Sequence, residues 1–190
     1  DTLAYQETLH PPKTTKPHHN VLIRFCPISA CLSHSYHRCL YSREEAAALG
    51  RWRQIASRVS LWIYSANFSH YLAPIPNFRA LSENLQKAHH AGDWGAFIQG
   101  AGSGGGRSDD SELRAYVSAR LLWNPTVQIQ SEIVSFLDAV YGPASPWMRK
   151  YLSAQQALAG RASSKRSWHT WSNQDLSGFY VPTSFLSTAR

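Results

Sequence analysis

Acidic residues are scarce in this chain. Twelve Asp and Glu stand against nineteen Lys and Arg, and neither of the two most apolar strand-like runs, Leu61–Tyr64 and Trp94–Gln99, ends in a carboxylate. Acid–base chemistry by paired carboxyl groups is therefore not written into those runs. Long hydrophobic runs are missing as well: none approaches the roughly 20 residues that cross a bilayer, and no charged-then-apolar leader opens the chain. The sequence begins at Asp1 and not at Met, so it is expected to be a fragment, with any signal peptide lying outside it. Charged residues make up only 16%, which argues against a disordered chain. No G-K-[ST] follows the glycine-rich stretch, where Arg107 stands instead, so a phosphate loop is excluded.

What is present reads as one folded body. The 190 residues include seven Trp and 43% apolar residues, enough for a single sizeable core. The formal charge of +7 raises the question of nucleic acid, but the arginines are scattered along helix-like segments, so no nucleic-acid partner is expected.

Strand signals fall at Leu3–Tyr5, Val21–Phe25, Leu61–Tyr64 and Trp94–Gln99. Ser42-Arg43-Glu44-Glu45 has the form of a capping box, followed by Leu49, Trp52, Ile55, Ala56 and Val59 at helical spacing. Phe78, Leu81, Leu85 and Ala88 mark a second helix. Ser108 and Asp109 are expected to cap a third bearing Leu113, Val117 and Leu121, and Thr126 a fourth ending at Gly142. Ser145-Pro146 opens a last helix that closes near Gly160. Residues 161–190 read as a loosely ordered basic tail touching the body through Trp168 and Trp171. Alternating strands and helices predict an α/β fold with a parallel sheet. A closed (β/α)8 barrel takes about 250 residues, so residues 1–160 are expected to supply the later portion of a TIM-like barrel followed by C-terminal helices.

In parallel α/β folds the ligand meets the carboxyl ends of the strands. Tyr5, Trp62, Tyr64, Asn67, Tyr71 and Gln99 fall there, an aromatic and amide set suited to stacking on sugar rings and bonding hydroxyls. A buried aromatic hinge, with Asn67 capping a turn, is the competing reading. His34 joins the binding candidates, with a surface or satisfied core histidine as the competing reading, and Glu7, the one acid that falls just after a strand, is the catalytic candidate, although a single acid cannot form a pair. Gly100–Gly105 formally contains G-x-G-x-x-G, but no strand with a terminal acid follows, so no dinucleotide and no other cofactor is expected. A glycine-rich loop over a pocket is the reading kept. Asn67-Phe68-Ser69 has the form of a glycosylation acceptor for a secreted eukaryotic protein.

Cys26, Cys31 and Cys39 lie close in sequence with His34 and His37 between the last two. The spacing Cys31-x2-His34-x2-His37-x-Cys39 lacks a paired C-x2-C arm, so no metal is expected. Buried reduced thiols, or a Cys31–Cys39 bridge in an exported protein, remain. The compartment is not assigned.

The segments LAYQETLHPPK (Leu3–Lys13), NVLIRFCPISACLSH (Asn20–His34), NFSHYLAPIPN (Asn67–Asn77) and ELRAYVSARLLWNP (Glu112–Pro125), in this order, resemble a domain-of-unknown-function family of bacterial proteins. Its members look like glycoside-hydrolase barrels and often follow an N-terminal domain similar to those of α-glucuronidases and β-hexosaminidases. The resemblance implies carbohydrate as ligand and the N-terminal half of the same barrel as partner. In the family pattern acids stand at the positions of Ser29, Ile63 and Ile98; all three are absent here, while Glu7 replaces a common aromatic. The expectation is thus a glycoside-hydrolase-like, carbohydrate-interacting domain with a degraded active site. The alternatives are the later half of a working glycosidase whose acids lie upstream, and a basic interaction module.

Overall fold

The computed structural model describes residues 1–100 and 108–161. The glycine-rich stretch beyond Gly100 and the tail with Trp168 and Trp171 lie outside the described residues. Four strands, β1 (Thr2–Tyr5), β2 (Leu22–Cys26), β3 (Arg58–Tyr64) and β4 (Gly95–Gln99), form one sheet in the order β1-β2-β3-β4. All three neighbouring pairs are parallel. Helix α1 (Arg43–Ile55) connects β2 to β3, and α2 (Phe78–His90) connects β3 to β4. Helices α3 (Ser111–Trp123), α4 (Ile129–Tyr141) and α5 (Ser145–Arg161) follow the sheet. The fold is thus α/β with a parallel sheet, as the alternation of patterns predicts. The β1–β2 connection has no α-helix, only a single 3-10 turn at Gln6–Thr8 and a polar loop.

Side chains alternate across a strand, and the core takes one of the two sets. Ala4, Ile23, Phe25, Val59, Leu61 and Ile63 pack with Leu49 and Trp52 of α1, with Phe78, Leu81, Leu85 and Ala88 of α2, and with residues of α3, α4 and α5. Each fully buried Leu, Ile or Phe here contributes about 1.5–3 kcal/mol through removal from water. The period of α2 in the sequence is the face it buries. The intervening residues Leu3, Arg24, Ser60, Trp62 and Phe97 belong to the opposite face, and Leu3 and Phe97 are exposed.

Four local expectations need correction. Val59, which falls at helical spacing after Ile55, belongs to β3; α1 stops at Ile55 and the strand starts at Arg58. Ser42 does stand at the N-cap of α1, but its hydroxyl makes no capping bond and instead accepts the N–H of Cys31 at 2.9 Å. Asp109 does not cap α3, whose N-cap is Asp110. Thr126 likewise precedes the cap of α4, Gln128, and bonds Asn124. Gly142 ends α4 as expected, at φ +49°, a backbone conformation that suits a residue without Cβ.

Candidate functional site

The carboxyl ends of β3 and β4 carry an aromatic run. Trp62 and Phe97 are paired in register, and their rings meet edge to face at 4.7 Å. Trp62 and Tyr64 stand 6.4 Å apart, Tyr64 and Phe68 6.1 Å, and Phe68 and Tyr71 5.9 Å. The Trp62 indole N–H donates to Gln99 Oε1 at 2.8 Å. The N–H and hydroxyl of Ser65 both donate to the Gln99 carbonyl, which fixes where β3 turns into its loop. Cys26 and Tyr5, paired in register, lie on the same face one and two strands away. Past Tyr71, an open hollow of about 460 Å³ runs along His70–Pro74.

Of the expected site residues, Trp62, Tyr64, Tyr71 and Gln99 are therefore brought together, with Phe68 and Phe97 as members that the sequence reading passed over. Phe97 was findable: it stands two residues before Gln99 and so shares its face. Burial pushes the Tyr64 phenol up, with Cys26 and Tyr5 nearby adding to it, so the ring stays protonated. Asn67 is 2% exposed, and its Oδ1 accepts the N–H groups of Ser69 and His70. Its carbonyl oxygen thus caps the turn after β3. Glu7 sits exposed in the turn after β1, where the preceding Gln6 has φ +48° and the Thr8 hydroxyl donates to the Tyr5 carbonyl at 2.9 Å.

Ile63 and Ile98, where the resemblance places acids, are paired in register and turn toward the helices, not toward the aromatic face. Ser29 is exposed in the loop after β2.

The loop between β3 and α2 is held by a charged clamp. The Arg114 guanidinium, 3% exposed, donates to Asp109 Oδ2 at 2.8 Å, to the Ile75 carbonyl at 3.0 Å and to Asn77 Oδ1. Asp109 Oδ2 also accepts the Ile75 N–H at 2.8 Å, and the Asp109 N–H reaches the Tyr71 carbonyl at 3.1 Å. Burial raises the Asp109 carboxyl above its ordinary value, and Arg114 only partly opposes it. Asp109 thus serves the loop that carries Tyr71, across 34 residues of sequence.

The loop between β2 and α1 gathers the thiols. All three cysteines are free and buried. Cys31 Sγ lies 3.3 Å from His34 Nδ1, and the ligand atoms of Cys31, His34 and Cys39 all lie within 4.8 Å of one another. The linear spacing argued against such a set; the fold makes it by turning the chain at Ser35, whose carbonyl accepts the N–H of Arg38 and of Cys39. His37 is exposed and Cys26 is not in the group. Burial pushes the Cys26 thiol up to about 11 against the pull of Arg24, so it is protonated and unreactive near neutrality.

The family described as a domain of unknown function (DUF4838) matches residues 1–153. The chain belongs to that family. No curated protein and no solved structure matches it. The DUF4838 region takes in the sheet, the loops after β2 and β3 and about half of α5, so every site residue named above lies inside it. No described helix is long and apolar enough to cross a membrane.

Proposed function

We propose that this DUF4838 chain is an arc of a glycoside-hydrolase-like barrel that binds carbohydrate at its strand ends without cleaving it. The observation that carries the reading is the aromatic run from Phe97 through Trp62 and Tyr64 to Tyr71, tied to an amide by the Trp62–Gln99 bond. Aromatic faces meet the C–H faces of sugar rings, and a few fixed polar groups orient the hydroxyls. Gln99 commits its carbonyl oxygen to the indole, which directs its amide nitrogen, a double donor, to the other side.

The barrel part of the proposal is supported by topology. The strands are parallel and in consecutive order, and α1 and α2 pack on one face, which leaves the other for a barrel interior. β1 and β4 are the two edges of the sheet, and the natural partner for such edges is further strands of the same barrel. The non-hydrolytic part is supported by Glu7 lying exposed after β1 and by the aromatic face of β3 and β4, where Ser60, Trp62, Tyr64, Phe97 and Gln99 include no carboxylate.

Calorimetry of the full chain against a panel of neutral and acidic oligosaccharides tests this. Binding without turnover is expected, weakened about tenfold by Trp62→Ala, the equivalent of 1.4 kcal/mol. No heat with any member of the panel would refute the binding. Release of reducing sugar that disappears in Glu7→Gln would show instead an active glycosidase.

A further inference from the structure

We propose that Cys31, His34 and Cys39 form a binding site for one thiophilic divalent cation of the zinc class, completed by a fourth ligand from solvent. The geometry is close to what the ion needs. Tetrahedral zinc with bonds of about 2.3 Å to sulfur and 2.0–2.1 Å to nitrogen sets its ligand atoms about 3.6–3.8 Å apart. The three atoms here lie within 4.8 Å of one another, with Cys31 Sγ and His34 Nδ1 at 3.3 Å. Small side-chain rotations bring them onto the ion, and no backbone rearrangement is required.

The backbone is already fixed by bonds that owe nothing to a metal. The Cys31 N–H donates to Ser42 Oγ at 2.9 Å, the Cys39 N–H to the Ser35 carbonyl at 3.1 Å, and the Tyr36 N–H to Asn84 Oδ1 of α2 at 3.0 Å. The Cys31 end of the ligand set is thus anchored to the N-cap of α1 and the middle of the loop to α2, where flexible ligands would otherwise lose entropy on binding.

Charge agrees with the same assignment: two neighbouring buried thiolates repel unless a cation lies between them. When the ion enters, the two thiols release two protons, and two thiolates neutralise its double positive charge, so the loaded site carries no net charge into the protein. His34 also lines a pocket of about 410 Å³ with Ser33, Arg38 and Glu83, which opens the imidazole side of the set to solvent.

The test is a cobalt(II) titration of the reduced full chain after chelator treatment. One equivalent is expected to bring up a thiolate-to-metal charge-transfer band with the intense visible bands of a tetrahedral site, and zinc is expected to abolish both. Cys31→Ser, Cys39→Ser and His34→Gln should each lose or sharply weaken the bands, whereas Cys26→Ser should keep them. Should the cysteine variants fail to fold, zinc-dependent slowing of Cys31 and Cys39 alkylation in the unaltered chain decides in their place. The proposal fails if cobalt gives no thiolate band, if the band survives without Cys31 and Cys39, if zinc leaves alkylation unchanged, or if the purified protein holds a Cys31–Cys39 disulfide that forms in preference to metal binding.

Discussion

The loops after β2 and β3 crown the same end of the sheet, yet they are held by opposite chemistry. The loop after β3 is fixed by a permanent charge: Arg114 reaches two carbonyl-type oxygens and the Asp109 carboxylate from within the core. The loop after β2 is fixed by neutral backbone bonds and leaves two thiols and an imidazole facing one another. An ion-pair network of this kind has little chemistry left to offer, because all its groups but the buried Asp109 Oδ1 are committed. A cluster of soft donors anchored from behind is available to something else. The contrast separates the part of this end that keeps shape from the part that can take a ligand.

Arg114→Met is expected to break the contrast most severely. Removing the guanidinium strands Asp109 as an uncompensated buried charge, for which a loss of about 3–5 kcal/mol is typical. Urea unfolding measures it, and Asp109→Asn on the same background should recover part of the loss by removing the orphaned carboxylate. A loss below about 1 kcal/mol would place the Arg114 pair among the weak surface bridges and would end its role as the clamp.

That clamp was not legible in the sequence, for a physical reason. Asp109 stands just before a helix, where local rules assign a cap; its carboxylate instead takes the Ile75 N–H, 34 residues back, and Arg114, whose guanidinium in turn reaches Ile75 and Asn77 across the fold. Local patterns report local competition among backbone bonds and are blind to a long-range partner that wins it. The same limit hid the Cys31–His34–Cys39 group: spacing rules describe fingers built on short paired arms, while here a turn at Ser35 does the folding. Val59 failed differently, since Ile55, Ala56 and Val59 satisfy a helical period across a real boundary at Ala56. What periodicity did convey, it conveyed fully where one face alone is buried, as in Phe78, Leu81, Leu85 and Ala88 of α2. Trp62, Tyr64 and Gln99 were legible because residues at strand ends share a known edge of the fold; their tie through the indole was not, because Trp62 and Gln99 meet only across the β3–β4 register.

Asn84→Ala carries the comparison to the other loop with a smaller effect. Asn84 is buried on α2 and its Oδ1 accepts the Tyr36 N–H; without it a buried donor loses its partner, at a cost of about 1–3 kcal/mol. The change should be felt by the β2 loop alone. Hydrogen exchange is expected to rise at Tyr36 and Cys39 and to stay level at Ile75. Equal loosening of both loops would mean that they form one cooperative unit and that the contrast drawn between them is not energetic.

The finest distinction lies in how the two loops answer acid, and the signs are opposite. His34 is held below its ordinary value of 6.5 by burial, so the unfolded chain takes up that proton first; stability from this group is complete above 6.5 and is lost as pH falls through the lowered value. Asp109 is held above its ordinary value of 3.8 by burial, so the folded chain takes up that proton first; stability from this group grows as pH falls through the raised value. His37, lowered by burial and then by Lys87 and Arg53, adds to the first slope without belonging to the thiol group. Urea midpoints across the acid range should therefore fall less steeply below 6.5 in His34→Gln than in the parent chain, and should lose their low-pH gain in Asp109→Asn. A His34→Gln profile that superimposes on the parent would show that the imidazole titrates as if free in water, and would leave the β2 loop without the proton-sensitive donor that separates it from the β3 loop.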